Sequence, residues 1–253
     1  MLIWMKAHTE GFRALLYFAA LCMDRFRATD DEAAKEKYNG FLEVLTPICK
    51  AYCSDMGFRV TETAIQVYGG YGYCTDYPVE QFLRDEKIAS IYEGVNGIQA
   101  LDLVGRKLGL KKGMYFMNLL GEMGATIAKY QPALPDLAPD VQAGVNTLAE
   151  TAMLFAASGK AGKFLIPVSN AYPFLMLMGQ VVTAWLLLWE AGVAKEKLGA
   201  PDGGGADKAF YEGKLATARY FIKHVLPEVD AAAKAIKSGD LSMMEIADEG
   251  FAS

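Results

Sequence analysis

Gln66-Val67-Tyr68-Gly69-Gly70-Tyr71-Gly72-Tyr73, followed by an Asp76-Tyr77-Pro78 turn, by Arg84-Asp85, and by Ile91-Tyr92-Glu93-Gly94-Val95-Asn96-Gly97-Ile98-Gln99, is the stretch whose reading decides the fold. The sequence on either side has helical periodicity, so residues 66–99 mark where the backbone leaves regular structure. Side chains at such a break can point into a cavity rather than along a packed face, and polar chemistry concentrates there.

Upstream, Met5, Phe12, Leu15, Leu16, Ala19, Met23 and Phe26 recur at helical spacing and predict a helix over about 1–27. No capping signal precedes it, and the expectation is a helix that begins before Met1 in a longer protein. The charged segment Thr29 to Lys37 reads as a solvated turn. Thr46-Pro47 reads as an N-cap followed by proline in the first helical position. Cys49, Tyr52, Met56, Val60, Thr63 and Val67 then form the buried stripe of a helix that Gly69-Gly70 terminate.

Downstream, Asn96 and Gln99 have the spacing of a capping box ahead of Ile98, Leu101 and Val104. That helix ends near Lys107 to Lys112, where positive charge suits the helix dipole. Phe116, Leu119, Leu120, Met123 and Ile127 predict a helix over 114–129, and three prolines make 131–139 a crossover. Helices are expected over 140–158 and 173–197, then a flexible loop from Gly199 to Asp207. A last helix carries Tyr211, Leu215, Ala218, Ile222, Val225 and Val229, kinked at Pro227. No β-branched alternation and no internal repeat occur. The fold class is all-α: an up-and-down helical bundle over 1–112, followed by a second helical domain over 113–253.

Composition narrows the function. At 253 residues and 53% hydrophobic, the chain can bury a large core, and a net charge of −5 argues against nucleic acid as a partner. Phe164 to Trp189 contains no charged residue. Pro167 and Pro173 divide it, and Phe174 to Trp189 reaches only about 24 Å as a helix, short of a hydrocarbon core of about 30 Å. It reads as a buried helix, with no membrane span. Cys22, Cys49, Cys53 and Cys74 form no C-x-x-C pair, and Cys49 and Cys53 share a helix face as small apolar residues. His8 and His224 are too isolated for a metal site. Few cysteines and no signal-peptide pattern point to the cytoplasm.

The glycine cluster lacks the third glycine of a Rossmann fingerprint and follows a helix rather than a strand. Helix termination and close approach of backbone amides to an anion both remain open for it. Glu93 likewise has two readings. It is a surface glutamate, or it is a carboxylate held among Ile91, Tyr92 and Gly94 in an apolar pocket, poised as a general base.

The series Gln66-x-x-Gly69-Gly70-x-Gly72-Tyr73, Tyr77-Pro78-Val79-Glu80, Arg84-Asp85-x-Lys87-Ile88, Ile91-Tyr92-Glu93-Gly94 and Ile98-Gln99 resembles the C-terminal helical domain of the acyl-CoA dehydrogenases. The likeness covers about 1–110. The remainder resembles the extra helical domain of long bacterial members, with Phe210-Tyr211-x-x-Lys214 and Ala218-Arg219 as cues. The resemblance implies FAD-dependent α,β-dehydrogenation of an acyl-CoA thioester. Glu93 would remove the α-proton while hydride passes from the β-carbon to the flavin. Tyr92 and Gly94 would lie at the substrate. Gln66, Val67, Tyr68, Gly69 and Gly70 would approach the pyrophosphate and adenosine end of FAD, usually from a neighbouring subunit in this family, and Val95, Asn96 and Gly97 would lie near the flavin. Val95 and Gly97 stand where family members often carry threonine and a polar residue. The resemblance further implies electron-transfer flavoprotein as acceptor and a homo-oligomer. It also implies a chain that lacks the family's N-terminal helical and middle β domains, and that alone binds FAD weakly or not at all and turns over nothing. Two competing readings are a non-catalytic helical assembly module and an alkylation-response-type flavoprotein of the same fold.

Overall fold

A computed structural model describes residues 1–201 and 203–252, and every regular element among them is helical. Asp202, within the predicted Gly199 to Asp207 loop, lies outside the described residues. The fold is all-α, as the periodicity predicts.

The first two helices, α1 (Leu2–Ala28) and α2 (Glu32–Tyr68), pack along their length. The connection between them is shorter than the charge pattern suggests. Asp31 caps α2 by accepting from the Ala33 amide at 3.0 Å, so only residues 29–31 turn. The predicted start at Pro47 is therefore corrected: α2 runs straight through it. Thr46 does not cap a helix there, and its hydroxyl donates to the Leu42 carbonyl at 2.6 Å. Phe41, Val44, Leu45, Pro47, Ile48, Ala51 and Tyr52 are all buried across this point. Continuous burial outweighs the one helical hydrogen bond that proline removes.

Gly69, at φ +63°, ends α2 and opens a 3-10 turn over Gly69–Tyr73. Then come α3 (Val79–Ala89) and α4 (Asn96–Gly105), with the Glu93 bend between them. Past α4, Lys111, Lys112 and Gly113 all take positive φ before α5 (Met114–Tyr130). The rest comprises α6 (Ala138–Lys160), α7 (Leu165–Ser169), α8 (Ala171–Leu198), α9 (Lys208–Tyr220) and α10 (Glu228–Lys237). A π-turn over Phe221–Val225 and Pro227 separate the last two, which the sequence reads as one kinked helix.

The apolar helix α8 is the hub. It packs against α1, α2, α4, α5, α6, α9 and α10. By length and composition it could cross a membrane, yet 78% of its most apolar stretch is buried in the fold. One buried apolar cluster runs without interruption from Ala7 to Ile236 and includes Trp185 and Phe174 of α8. The base of α2, which carries the candidate site, thus rests on residues beyond 113.

Candidate active site at the bend between α3 and α4

The exposed end of α2 presents Gln66, Val67, Tyr68, Gly69 and Gly70 together. A Cβ at Gly69 or Gly70 would meet no other atom within 4 Å, so both backbones are open to an approaching group. Gly72 differs. It is buried, and a Cβ there would stand 2.6 Å from the Ile65 carbonyl oxygen. It is glycine because the turn folds back onto α2.

The Glu93 bend is built from short-range bonds and one long-range anchor. The Asn96 amide donates to the Ser90 carbonyl at 3.2 Å and the Tyr92 amide to that of Ile88 at 3.1 Å, closing the loop. Glu93 and Gly94 are consecutive left-handed residues, at φ +55° and +83°. For a glutamate this conformation costs about 1–2 kcal/mol, so the surroundings must hold it. The Gln99 side chain donates to the Glu93 and Gly94 carbonyls, both at 3.4 Å. The predicted capping box is not formed, because Gln99 reaches these carbonyls while Val95 occupies the cap position.

Asn96 is the first residue of α4 and is buried. Its Nδ2 donates to Ser54 Oγ at 2.9 Å and to the Ala51 carbonyl at 3.3 Å, and its Oδ1 accepts from Lys50 Nζ at 2.6 Å. The Asn96 side chain is thus committed to α2. Val95 and Gly97 are exposed beside it.

Glu93 and Tyr92 sit at the rim of a cavity of about 370 Å³, with Phe12 and Leu16 of α1, Cys49, Lys50 and Cys53 of α2, and Glu86 of α3. Burial raises the Glu86 carboxyl and lowers the Lys50 ammonium, the latter opposed by the charges of Asp55 and Glu93. Burial also pushes the Cys49 thiol up to about 12, and raises Cys53 too, so both are neutral thiols here. Glu93 itself is exposed. The apolar enclosure expected around it is not supplied by this chain, since Ile91, Tyr92, Val95 and Ile98 face outward as well. Its carboxylate makes no hydrogen bond or ion pair among the described residues.

Lys50 escaped the sequence reading. The signal was there: it is a lone cation inside the apolar run Ile48-Cys49-Lys50-Ala51-Tyr52-Cys53.

The profile described as "Acyl-CoA dehydrogenase, C-terminal domain" matches residues 1–108, and "Acetyl-CoA dehydrogenase C-terminal like" matches 119–247. The chain belongs to the acyl-CoA dehydrogenase family. Over 99% of its length it is 34% identical to a butyryl-CoA dehydrogenase of Syntrophomonas wolfei, covering 41% of that protein. A 3-methylmercaptopropionyl-CoA dehydrogenase of Ruegeria pomeroyi is 35% identical over 91% of the chain and 39% of that protein. This acyl-CoA dehydrogenase chain therefore spans about two fifths of the length of the relatives it matches. Among solved structures, an acyl-CoA dehydrogenase from Bacillus anthracis complexed with FAD superposes with a TM-score of 0.70 at 20% identity. It covers 93% of this chain, which spans 41% of that one. Caenorhabditis elegans ACDH-11 in complex with C11-CoA gives 0.69 at 19% identity, with 86% of this chain and 34% of that one covered. At those identities the likeness is one of fold.

Proposed function

We propose that this chain is the base-bearing portion of a flavin-dependent acyl-CoA dehydrogenase, with Glu93 as the base that removes the α-proton of an acyl-CoA thioester. The observation that carries this reading is the left-handed Glu93-Gly94 pair, fixed at its carbonyls by Gln99 and left open at its carboxylate. Surface glutamates need no such backbone. An unpaired carboxylate at a cavity rim is free to take a proton, and Gly94 leaves room for the thioester beside it. Tyr92 forms the adjoining wall of the substrate site.

The residues at the end of α2 fit a flavin. Gly69 and Gly70 are unobstructed backbone, flanked by exposed Gln66, Val67 and Tyr68. These five would border the pyrophosphate and adenosine end through open glycine backbone and the exposed Gln66 and Tyr68 side chains, the Gly69 amide itself being bonded to the Gln66 carbonyl. Val95 and Gly97 would border the cofactor near the base, through backbone and apolar contact. When bound, FAD supplies the acceptor for the substrate's β-hydride. Solvent at Glu93 must then be excluded by parts of the enzyme outside residues 1–253.

On this reading the division near residue 112 separates the base-bearing portion from one whose role is cover or assembly. The whole enzyme is a cytoplasmic homo-oligomer that passes electrons to electron-transfer flavoprotein. A second reading, a helical assembly module with relic residues, draws on the exposure of Glu93. Glu93→Gln in the whole protein separates the two. Turnover of an acyl-CoA falls about 10²- to 10⁴-fold with flavin absorbance retained if Glu93 is the base. Unchanged turnover, or none in the parent protein, would leave the assembly module standing.

A further inference from the structure

We propose that Lys50 is a positioning residue for Glu93, acting through the Asn96 side chain. The inference rests on Glu93 being the base. A left-handed glutamate does not hold itself in place. The two Gln99 contacts are long and come from the loop's own helix, so they cannot fix the bend relative to the bundle. The anchor that does so is Asn96, and all three partners of its side chain lie on α2.

Within that anchor Lys50 has a defined task. An asparagine amide can be placed either way round, and its neighbours decide which end accepts. Ser54 Oγ gives its proton to the Ala51 carbonyl at 3.3 Å and so accepts from Nδ2, a weak preference for the same orientation. The Ala51 carbonyl accepts only, and at 3.3 Å it is the weaker constraint. Lys50 donates only, at 2.6 Å, and its charge roughly doubles the strength of the bond. It therefore turns Oδ1 toward itself and sends Nδ2 to Ser54 and Ala51. Among the described residues Lys50 has no carboxylate within ion-pair distance. A lysine set in an apolar run and bonded to a neutral amide carries a desolvation cost that packing alone does not explain. It also lines the cavity that Glu93 rims, so one side chain joins the anchor to the site.

The test uses the 253-residue chain and needs no flavin. Amide hydrogen exchange would be read by NMR at Tyr92 and Asn96, whose bonded amides bracket Glu93. In Lys50→Met, exchange at these two amides should rise about tenfold or more, a loss of at least ~1.4 kcal/mol of local protection, while buried amides of α8 stay protected. Lys50→Arg, which still donates with charge, should recover most of the protection. Asn96→Ala, which removes all three bonds, should raise exchange at least as much as Lys50→Met, and the double variant should add nothing to Asn96→Ala, because Lys50 acts only through that side chain. Unchanged exchange in Lys50→Met, a uniform rise throughout the bundle, or additive effects in the double variant would each overturn the proposal. In the whole enzyme the same substitution should lower kcat and leave KM unaltered. If Glu93→Gln there leaves turnover intact, the base assignment fails while the exchange result still reports on the anchor.

Discussion

Replacing Gly179 by alanine probes whether α8 supports the site-bearing helix. Gly179 faces Tyr52, which is fully buried two residues beyond Lys50. A Cβ at 179 would stand 2.4 Å from the tyrosine ring, where ordinary contact begins at 3.4 Å. Ring or helix must therefore give by about 1 Å. The ring has little freedom, since Phe12 packs edge-on against it with centroids 5.9 Å apart. Overpacking of this kind costs about 1–3 kcal/mol, while exchanging glycine for alanine inside a helix returns about 1 kcal/mol. The net expectation is a destabilisation of about 0–2 kcal/mol. Gly121→Ala in α5 isolates the second effect, because a Cβ there meets nothing within 4 Å. That variant should be stabilised by about 0.5–1 kcal/mol. Urea titrations followed by circular dichroism, at constant m, give both values. The difference between the variants, about 1–3 kcal/mol, is the packing term. Equal shifts in the two would refute the close approach of α8 to α2.

Other consequences follow from the same contacts. His8 is buried among Trp4, Phe12 and Phe221, and burial lowers its pKa from 6.5. The folded state then binds fewer protons than the unfolded one below that value, so this contribution to stability is intact above about pH 6.5 and declines as pH falls. His8→Phe should flatten that part of the thermal-melting profile between about pH 7 and pH 5. Gly72→Ala would press a Cβ onto the Ile65 carbonyl oxygen and the Tyr68 Cβ at 2.6 and 2.8 Å, neither of which can rotate away. A loss of about 1–3 kcal/mol in urea unfolding is expected, with weakened flavin retention in the whole protein. Lys107 is largely buried and pairs with Glu43, which is one-third exposed. Glu43→Ala should cost about 1–3 kcal/mol in the same assay, below the figure for a fully buried pair because solvent reaches the carboxylate.

The residues that were legible in the sequence are those whose role is set by local period or by a backbone requirement. The stripe of α5, the buried apolar run of α8 and the termination of α2 at Gly69 all follow from spacing or from positive φ. Pro47 misled because a proline is read as a helix start when only its neighbours are known. Its burial is a tertiary fact. Asn96 misled for the same reason in reverse. Its position before an apolar stripe signals a cap, whereas its side chain is claimed by Lys50, Ala51 and Ser54, more than forty residues away along the chain.

The placement of Glu93 joins these two kinds of information. Its type, its glycine neighbour and its position at a break are visible in sequence, and they make it a candidate base. Its conformation is not, because φ +55° at a glutamate is imposed from outside the loop. That imposition passes from Asn96 to α2, and from Tyr52 of α2 to Gly179 of α8. On the proposed reading, a carboxylate open to solvent can still be held to a fixed position, provided the helix beneath it cannot move. In this physical sense residues beyond 113 would belong to the proposed site.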